Sequence, residues 1–333
     1  MCRADAVGWT PLAAVFPGQG AQTVAMGAVW RGHPAWALAE RAEDVLRRSL
    51  RPLLLDERRA PQGTAETQLA VFLTSMMAWK ALRAEAVTPA VLAGHSLGQI
   101  SALAAAGVLG FDDAVRLVER RGQVTDEVCA SEPGGMVAAL SRDTGLDAER
   151  AAAACEAAPG ECWTANDNAP GQVVYSGTTR GLDRTVERAR ELGARRFHRL
   201  NVAGPFHTPL MAPAAGRLTA FARSLAFAAP DRPVILNADA RPAGPGTPWP
   251  ETLGEHLVRP VRWRATQELL GRYGTAALVE VGPGTTLAGL ARRTVPHLRI
   301  LSAGCPATAA RAAACLRRPT APPQPNTGRT SDR

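Results

Sequence analysis

Short apolar runs alternate with longer amphipathic segments along most of the chain. Apolar runs that fit buried strands lie at Leu12–Phe16, Val91–Ala93 and Ala276–Val281. Segments with apolar residues at helical spacing lie between them, at 35–50, 64–82 (with Thr64 as its N-cap), 111–130 and 257–270. Strands that alternate with helices predict an α/β fold, here a hydrolase-like main domain with a central, mostly parallel sheet.

The pattern changes between residues 134 and 201. Strands are predicted at 136–140, 172–176 and 195–200, helices at 148–157 and 182–192, and a polar loop at 163–171. So small a β-α-β-α-β unit predicts an inserted ferredoxin-like subdomain at 134–201, within a main domain made of 1–133 and 202–303. From about Gly304 the sequence is rich in Ala, Arg, Pro and Thr without periodicity, which predicts a disordered tail over 304–333.

Composition narrows the class of protein. The 333 residues are 46% hydrophobic and 20% charged, which is typical of a packed globular chain. Almost all basic residues are arginine, as expected of GC-rich coding, and the net charge of +8 favours acidic partners. Aromatic residues make up only 5% and no nucleic-acid-binding motif is present, so we expect no nucleic-acid partner.

Cysteine spacing and hydropathy indicate the compartment. The six cysteines show no C-x-x-C spacing and no paired histidines, which predicts reduced thiols and no metal site. No apolar run approaches the ~20 residues of a membrane span, and residues 1–10 lack the apolar core of a signal peptide. We therefore expect a cytoplasmic protein that does not enter a membrane.

The segment that carries the most chemical information is Gly94-His95-Ser96-Leu97-Gly98. It follows an apolar run and precedes an Ala- and Leu-rich helical pattern, which is the strand–turn–helix context of a nucleophile elbow. Ser96 would present its hydroxyl at the start of the helix, and the N–H of Leu97 would be free to bind an oxyanion. The alternative is a glycine-containing turn with a capping serine.

A serine nucleophile needs a base, and the residues leave several interpretations open. An α/β-hydrolase would place an acid between the serine and a late histidine, but no strand-end Asp precedes the late His297, which disfavours an esterase or lipase. His207 lies just before a predicted helix, and Gln19 lies in a glycine-rich turn that could supply an oxyanion donor or be only a turn. Arg121 lies on a helix where a charged residue usually faces solvent.

Taken together, the motifs resemble one family, the malonyl-CoA:acyl-carrier-protein transacylases and the related acyltransferase domains of polyketide synthases. They occur in the family's order over about residues 12–303, and the length and Met1 suggest a free-standing enzyme. The matching segments are Phe16 to Gln22, Gly94 to Gly98, Arg121-Gly122, Asn166 through Gly171 to Val174, Phe206-His207, Pro260 to Trp263 and Glu280 to Gly284.

The resemblance implies catalytic roles. Ser96 would be the nucleophile and His207 its general base and acid. Gln19 and the Leu97 N–H would form the oxyanion hole. The family orients its histidine through a backbone carbonyl, which here belongs to His256, and this arrangement accounts for the missing acid of a triad.

The resemblance also implies how substrate is recognised. Arg121 would bind the free carboxylate of a malonyl-type acyl group, because the planar guanidinium fork matches a carboxylate. His95 would flank the nucleophile, and Asn166 would line the substrate site. Phe206 resembles the residue of malonyl-selective members, since members that take branched substrates carry a small residue there.

The implied reaction is a ping-pong transfer of a malonyl-type group from CoA to the phosphopantetheine thiol of an acyl carrier protein, for fatty-acid or polyketide biosynthesis. No bound cofactor and no metal are implied, since the CoA thioester is itself a substrate. The arginines within 184–199 and at 292–293 would contact an acidic carrier protein and the CoA phosphates. The alternative is that they are ordinary solvent-exposed residues. The alternatives are an acyl hydrolase of the same family, which a carboxylate-binding Arg121 disfavours, and a non-catalytic docking role, which the presence of Ser96, His207 and Gln19 disfavours.

Three positions depart from the family pattern. Gln99 replaces the usual Glu, and His256 replaces a common Gln or Asn. Gly204-Pro205 ahead of Phe206 is also unusual, which makes malonyl selectivity less firmly implied than the reaction type.

Overall fold

The computed structural model describes residues 11–131, 133–141, 147–202 and 204–317. The strands are β1 (Leu12–Phe16), β2 (Val91–Gly94), β3 (Gly134–Leu140), β4 (Cys162–Ala169), β5 (Gln172–Thr178), β6 (Arg196–Arg199), β7 (Val234–Ile235), β8 (Ala277–Val281) and β9 (Arg299–Ala303). The helices are α1 (Ala37–Leu46), α2 (Arg51–Leu55), α3 (Thr64–Ala84), α4 (Gly98–Ala105), α5 (Phe111–Ser131), α6 (Ala148–Cys155), α7 (Thr179–Glu191), α8 (Ala212–Ala222), α9 (Trp249–Val258), α10 (Trp263–Arg272), α11 (Thr286–Thr294) and α12 (Pro306–Leu316).

The larger sheet is parallel throughout, with strand order β7-β2-β1-β8-β9. Strand β1 is buried along its whole length because it lies in the middle of a sheet covered on both faces. Ala14 and Phe16 contribute to the core on one face, and Ala13 and Val15 to the core on the other. The predicted α/β main domain with its parallel sheet is confirmed.

The register of this sheet positions the site. Phe16 pairs with Gly94, so β1 and β2 end side by side. The glycine-rich turn after β1 and the Gly-x-Ser-x-Gly turn after β2 therefore leave the sheet at adjacent points. This is the carboxyl edge, where open α/β sheets bind their ligands.

The smaller sheet is antiparallel, with strand order β4-β5-β3-β6. Helix α6 connects β3 to β4 and α7 connects β5 to β6, which gives the strand–helix–strand–strand–helix–strand arrangement of a ferredoxin-like unit. The predicted ferredoxin-like subdomain is confirmed, but the polar loop predicted over 163–171 is wrong, because most of it forms β4. Asparagines are disfavoured in strands, and here pairing with the buried β5 outweighs that preference.

Two helix boundaries also differ from the sequence prediction. Thr64 is the first residue of α3 and not its N-cap, because Gly63 precedes it with φ +71° and the Asp126 carboxylate accepts hydrogen bonds from the N–H groups of Thr64 and Ala65 (3.1 and 3.0 Å). The helix predicted over 257–270 is instead divided between α9 and α10, with Pro260 in the gap.

The carboxyl end of the described chain is ordered, so the disordered tail predicted from 304 is wrong up to 317. Helix α12 packs on β9 and α3 and buries Ala309, Ala313 and Leu316. The apolar side of this helix is made almost entirely of alanine, which gives a weak periodic signal. Residues 318–333 of the predicted tail lie outside the described residues.

No helix within these described ranges is both long enough and apolar enough to cross a lipid bilayer.

Candidate active site

The turn after β2 is a tight elbow. Ser96 has φ +50°, a left-handed conformation that is strained for a residue with a side chain. A Cβ on Gly94 would collide with the backbone of Gly98, and a Cβ on Gly98 would collide with the Phe16 carbonyl. Only glycine fits these two positions, and their close approach presents the Ser96 hydroxyl at the carboxyl edge of the sheet.

A histidine from a distant part of the chain meets this hydroxyl. The Nε2 atom of His207 lies 2.7 Å from the Oγ of Ser96. The Nδ1 atom of His207 lies 3.0 Å from the carbonyl oxygen of His256 and 3.1 Å from that of Arg259. Because a carbonyl can only accept, Nδ1 carries the hydrogen and donates it, so neutral Nε2 faces the serine as an acceptor.

His207 is buried, and its surroundings disfavour the charged imidazolium. Burial, together with the positive charge of Arg121 and the neighbouring His95, lowers the pKa of His207 to about 3. The ring is therefore neutral at physiological pH. The structure places a main-chain carbonyl of His256 where a triad would place a carboxylate.

The turn that follows β1 lies against the elbow. Gly18 lies close to the elbow, since a Cβ at this position would be 3.6 Å from the backbone nitrogen of Leu97. The N–H of Leu97 makes no hydrogen bond to any described residue. Gln68 donates from Nε2 to the Oε1 of Gln19 (3.2 Å), so the Gln19 amide keeps its NH₂ group for another partner. Sequence reasoning missed Gln68, whose only signal is a polar residue among the buried positions of α3.

Arg121 does not face solvent as a helix arginine usually does. It is only 2% exposed, and its Nη2 lies 3.4 Å from the Ser96 hydroxyl. Its Nη1 is buried without a hydrogen-bond partner, and no carboxylate in the described ranges forms an ion pair with it. Burial lowers the pKa of Arg121 to about 10, so the guanidinium remains charged at neutral pH. A buried cation with an unused donor is suited to an anionic ligand.

Ser96 and His207 open into a cavity of about 490 Å³ between the two sheets. Phe206 and Asn166 line this cavity, and both are nearly buried. Its walls come from the turn after β1, the start of α3, strands β3 to β5, the segment before His207 and helix α11. The residues from these segments include 17–22, 61–64, 136, 138, 166, 168, 172, 174, 200–202, 286, 287 and 290.

His95 lies beside the nucleophile and is held from the subdomain. Its Nε2 lies 2.8 Å from the Oδ1 of Asn168 on β4, and its ring meets Trp263 edge-on at 5.3 Å between centroids. Burial lowers the pKa of His95. This contact uses β4, so the strand that sequence reasoning missed forms one wall of the site.

Asn237, which the sequence analysis did not single out, is fully buried next to the elbow. Its Oδ1 accepts a hydrogen bond from the Ser96 N–H (2.8 Å), and its own N–H donates to the Oε1 of Gln99 (2.8 Å). The side chain of His256 also contacts it, with Nε2 at 3.0 Å from Oδ1. Two of the residues that depart from the family pattern, Gln99 and His256, thus meet at one asparagine.

Among the residues that the structure describes, no group of three or more His, Cys, Asp or Glu side chains is arranged to hold a metal ion. The expected absence of a metal stays a prediction. The cavity is lined by the serine and the neutral histidine, and the buried guanidinium of Arg121 lies behind them, with its Nη2 3.4 Å from the Ser96 hydroxyl.

Comparisons with known proteins agree with this chemistry. Residues 14–315 match the model of the acyl transferase domain. The chain is 35% identical to the malonyl CoA-acyl carrier protein transacylase of Bacillus subtilis, over 89% of this chain and 94% of that protein, and 35% identical to that of Escherichia coli K12, over 87% and 94%.

Solved structures give the same result. The malonyl CoA-acyl carrier protein transacylase of Coxiella burnetii superposes with a TM-score of 0.88 at 33% identity, over 93% of this chain and 99% of that one. A malonyl-transacylase solved in complex with a type II polyketide synthase acyl carrier protein superposes with a TM-score of 0.86 at 34% identity, over 92% and 100%.

Proposed function

Because the chain belongs to the acyl transferase family, we propose that its Ser96 carries a malonyl group from CoA to an acyl carrier protein. The chain catalyses malonyl transfer, and the carrier protein and malonyl-CoA are its substrates. The observation that carries the assignment of residues is the 2.7 Å contact between the Oγ of Ser96 and the Nε2 of His207. Beside it lies a buried guanidinium, that of Arg121, which pairs with no carboxylate among the described residues.

The first half-reaction forms an ester. The Ser96 oxygen attacks the thioester carbonyl of malonyl-CoA while the Nε2 of His207 takes the hydroxyl proton. The Leu97 N–H and Gln19 stabilise the oxyanion of the tetrahedral intermediate. The carbon–sulfur bond then breaks, and the CoA sulfur leaves with the proton that His207 held.

The second half-reaction reverses these steps with a different thiol. The phosphopantetheine thiol of the carrier protein gives its proton to His207, and its sulfur attacks the malonyl ester. The ester bond breaks, and Ser96 recovers its proton from His207. No redox change occurs, so the chemistry requires no bound cofactor.

Arg121 supplies the selectivity for a dicarboxylic acyl group. Its fork lies beside the Ser96 oxygen, so it can pair with the free carboxylate of the malonyl group that Ser96 carries. An acyl hydrolase acting on acetyl or propionyl groups has no use for such a cation, and this favours transfer over the hydrolase alternative. Since its substrates are a CoA thioester and the phosphopantetheine thiol of a carrier protein, we propose a cytoplasmic location.

Intact mass spectrometry tests the nucleophile. After incubation with malonyl-CoA, the wild-type protein is expected to gain one malonyl group and Ser96→Ala none. Ser101→Ala, which changes a buried serine of the following helix, is the matched control and keeps the adduct. An adduct that persists in Ser96→Ala places the nucleophile elsewhere.

The same acyl-enzyme separates the two candidate activities. Addition of holo acyl carrier protein is expected to remove the malonyl group at a much higher rate than buffer alone, with malonyl-carrier protein as the product. Loss of the group to water at a comparable rate would identify a hydrolase.

A further inference from the structure

Asn237 lies at a junction between the parts of the site. It follows β7, the edge strand of the parallel sheet, and is fully buried. It does not line the substrate cavity. Any effect of this residue on the reaction would therefore pass through other residues and not through contact with substrate.

Its side-chain amide holds the elbow at two points. Oδ1 accepts from the N–H of Ser96 at 2.8 Å, and Nδ2 donates to the carbonyl of Gly94 at 2.7 Å. These bonds hold the backbone two residues before the strained nucleophile and at the nucleophile itself, whose φ is +50°. A strained turn persists only where surrounding contacts maintain it.

The same amide also reaches the segment that orients the base. Oδ1 lies 3.0 Å from the Nε2 of His256, and the main-chain carbonyl of His256 accepts from Nδ1 of His207. Since the oxygen of Asn237 only accepts, Nε2 of His256 carries the hydrogen. One oxygen is therefore bonded both to the backbone of the nucleophile and to the residue that holds the base.

The support of Asn237 itself is specific. Its backbone N–H donates to the Oε1 of Gln99, which directly follows the elbow at the start of α4. Gln99 and His256 are both at most 3% exposed. A neutral amide is the side chain that can accept two N–H bonds and donate one to a carbonyl at this position.

We propose that Asn237 is a positioning residue that sets the Ser96–His207 geometry by tying the nucleophile turn to His256, with Gln99 as its support. The proposal rests on the roles given above to Ser96 and His207. Asn237 acts on both half-reactions and on every acyl group, since it contacts the turn and the base segment but not the substrate.

Two variants test it. Asn237→Ala removes the junction, and kcat is expected to fall about 100-fold, as when reacting groups are displaced by about 1 Å. His256→Phe keeps the main-chain carbonyl and removes only the side-chain bond to Asn237, so a loss of about tenfold is expected. In both variants KM for malonyl-CoA is expected to stay within about threefold, because the cavity wall is unchanged.

A second measurement is independent of malonyl transfer. The rate at which a fluorophosphonate probe labels Ser96 reports nucleophile activation alone, and it is expected to fall by the same factors. If the probe labels the wild-type protein but that protein transfers no malonyl group, the proposed function is wrong. The labelling rates of the variants then still test the role of Asn237.

Thr74→Val is the matched control, since it removes a buried hydrogen bond within α3. It is expected to lower the Tm and leave kcat within about threefold of wild type, because it lies outside the site. Folded Asn237→Ala and His256→Phe proteins with unchanged kcat and labelling would overturn the proposal. So would a change in KM alone, or an equal loss of kcat in Thr74→Val. If Asn237→Ala does not fold, His256→Phe decides by the same criteria.

Discussion

Replacing Arg121 by methionine removes the positive charge beside Ser96 and keeps most of the side-chain volume. The native side chain is 2% exposed, and its buried Nη1 has no hydrogen-bond partner in the part of the chain that the structure describes. Its Nη2 lies 3.4 Å from the Ser96 oxygen, so the carboxylate of a malonyl group on that oxygen would lie within reach of the fork. The substitution therefore tests recognition of the acyl group and leaves the Ser96–His207 pair in place.

The size of the effect follows from the burial. Two unit charges about 4 Å apart at an effective dielectric constant of about 20 attract each other by about 4 kcal/mol. Desolvation of the substrate carboxylate offsets part of this attraction. We therefore expect Arg121→Met to cost malonyl-CoA about 2–4 kcal/mol of transition-state stabilisation, which is about 30- to 1,000-fold in kcat/KM.

Acetyl-CoA provides the internal control. It has no free carboxylate, so its kcat/KM is expected to stay within about threefold of the wild-type value or to rise. The assay is transfer of each acyl group to holo acyl carrier protein by both proteins. An equal loss for malonyl-CoA and acetyl-CoA would show that Arg121 is structural and would refute the assignment of the substrate class. Arg121→Lys keeps the positive charge but lacks the planar fork. Its kcat/KM for malonyl-CoA is expected to lie between the values of the wild type and Arg121→Met.

Three further predictions concern the base, its pKa and the elbow. His207→Ala is expected to lower the rate of Ser96 acylation by ~10³-fold or more, measured by quenched-flow mass spectrometry, and a loss of only a few-fold would contradict its role as base. Since protonation inactivates His207 and its pKa lies at about 3, kcat/KM is expected not to fall as pH is lowered from about 8 to 5.5, whereas a histidine near 6.5 would give a clear decline. Gly98→Ala is expected to destabilise the fold by about 1–3 kcal/mol in denaturant unfolding, because its Cβ meets the Phe16 carbonyl, and unchanged stability would show that the elbow relaxes.

Local patterns in the sequence were sufficient for much of this protein. The apolar runs of β1 and β2 predict strands that are buried on both faces, and the amphipathic pattern of α5 predicts a helix that is buried on one side. In a layered fold, apolar faces are buried against the neighbouring layer. The glycines around Ser96 predict the elbow, because residues without a Cβ allow the backbone to approach closely at a tight turn. The motifs in order then implied Ser96, His207, Gln19 and Arg121 through resemblance to the family.

Other features depend on partners that are distant in sequence. Strand β4 forms despite its polar residues because β5 pairs with it, and α12 is ordered because its alanines meet β9 and α3. Arg121 looks like a solvated helix residue until the fold places it beside Ser96.

Asn237 shows most directly why the sequence alone did not reveal every residue of the site. It is 141 residues from Ser96 in sequence, and its segment carries no periodic or motif signal of its own that the sequence analysis recognised. A buried polar side chain is defined by the groups that satisfy its hydrogen bonds, and these come here from β2, α9 and the start of α4. Sequence alone determined most of the elements and the chemistry available, whereas the tertiary structure decided that β4 and α12 form and which polar groups meet.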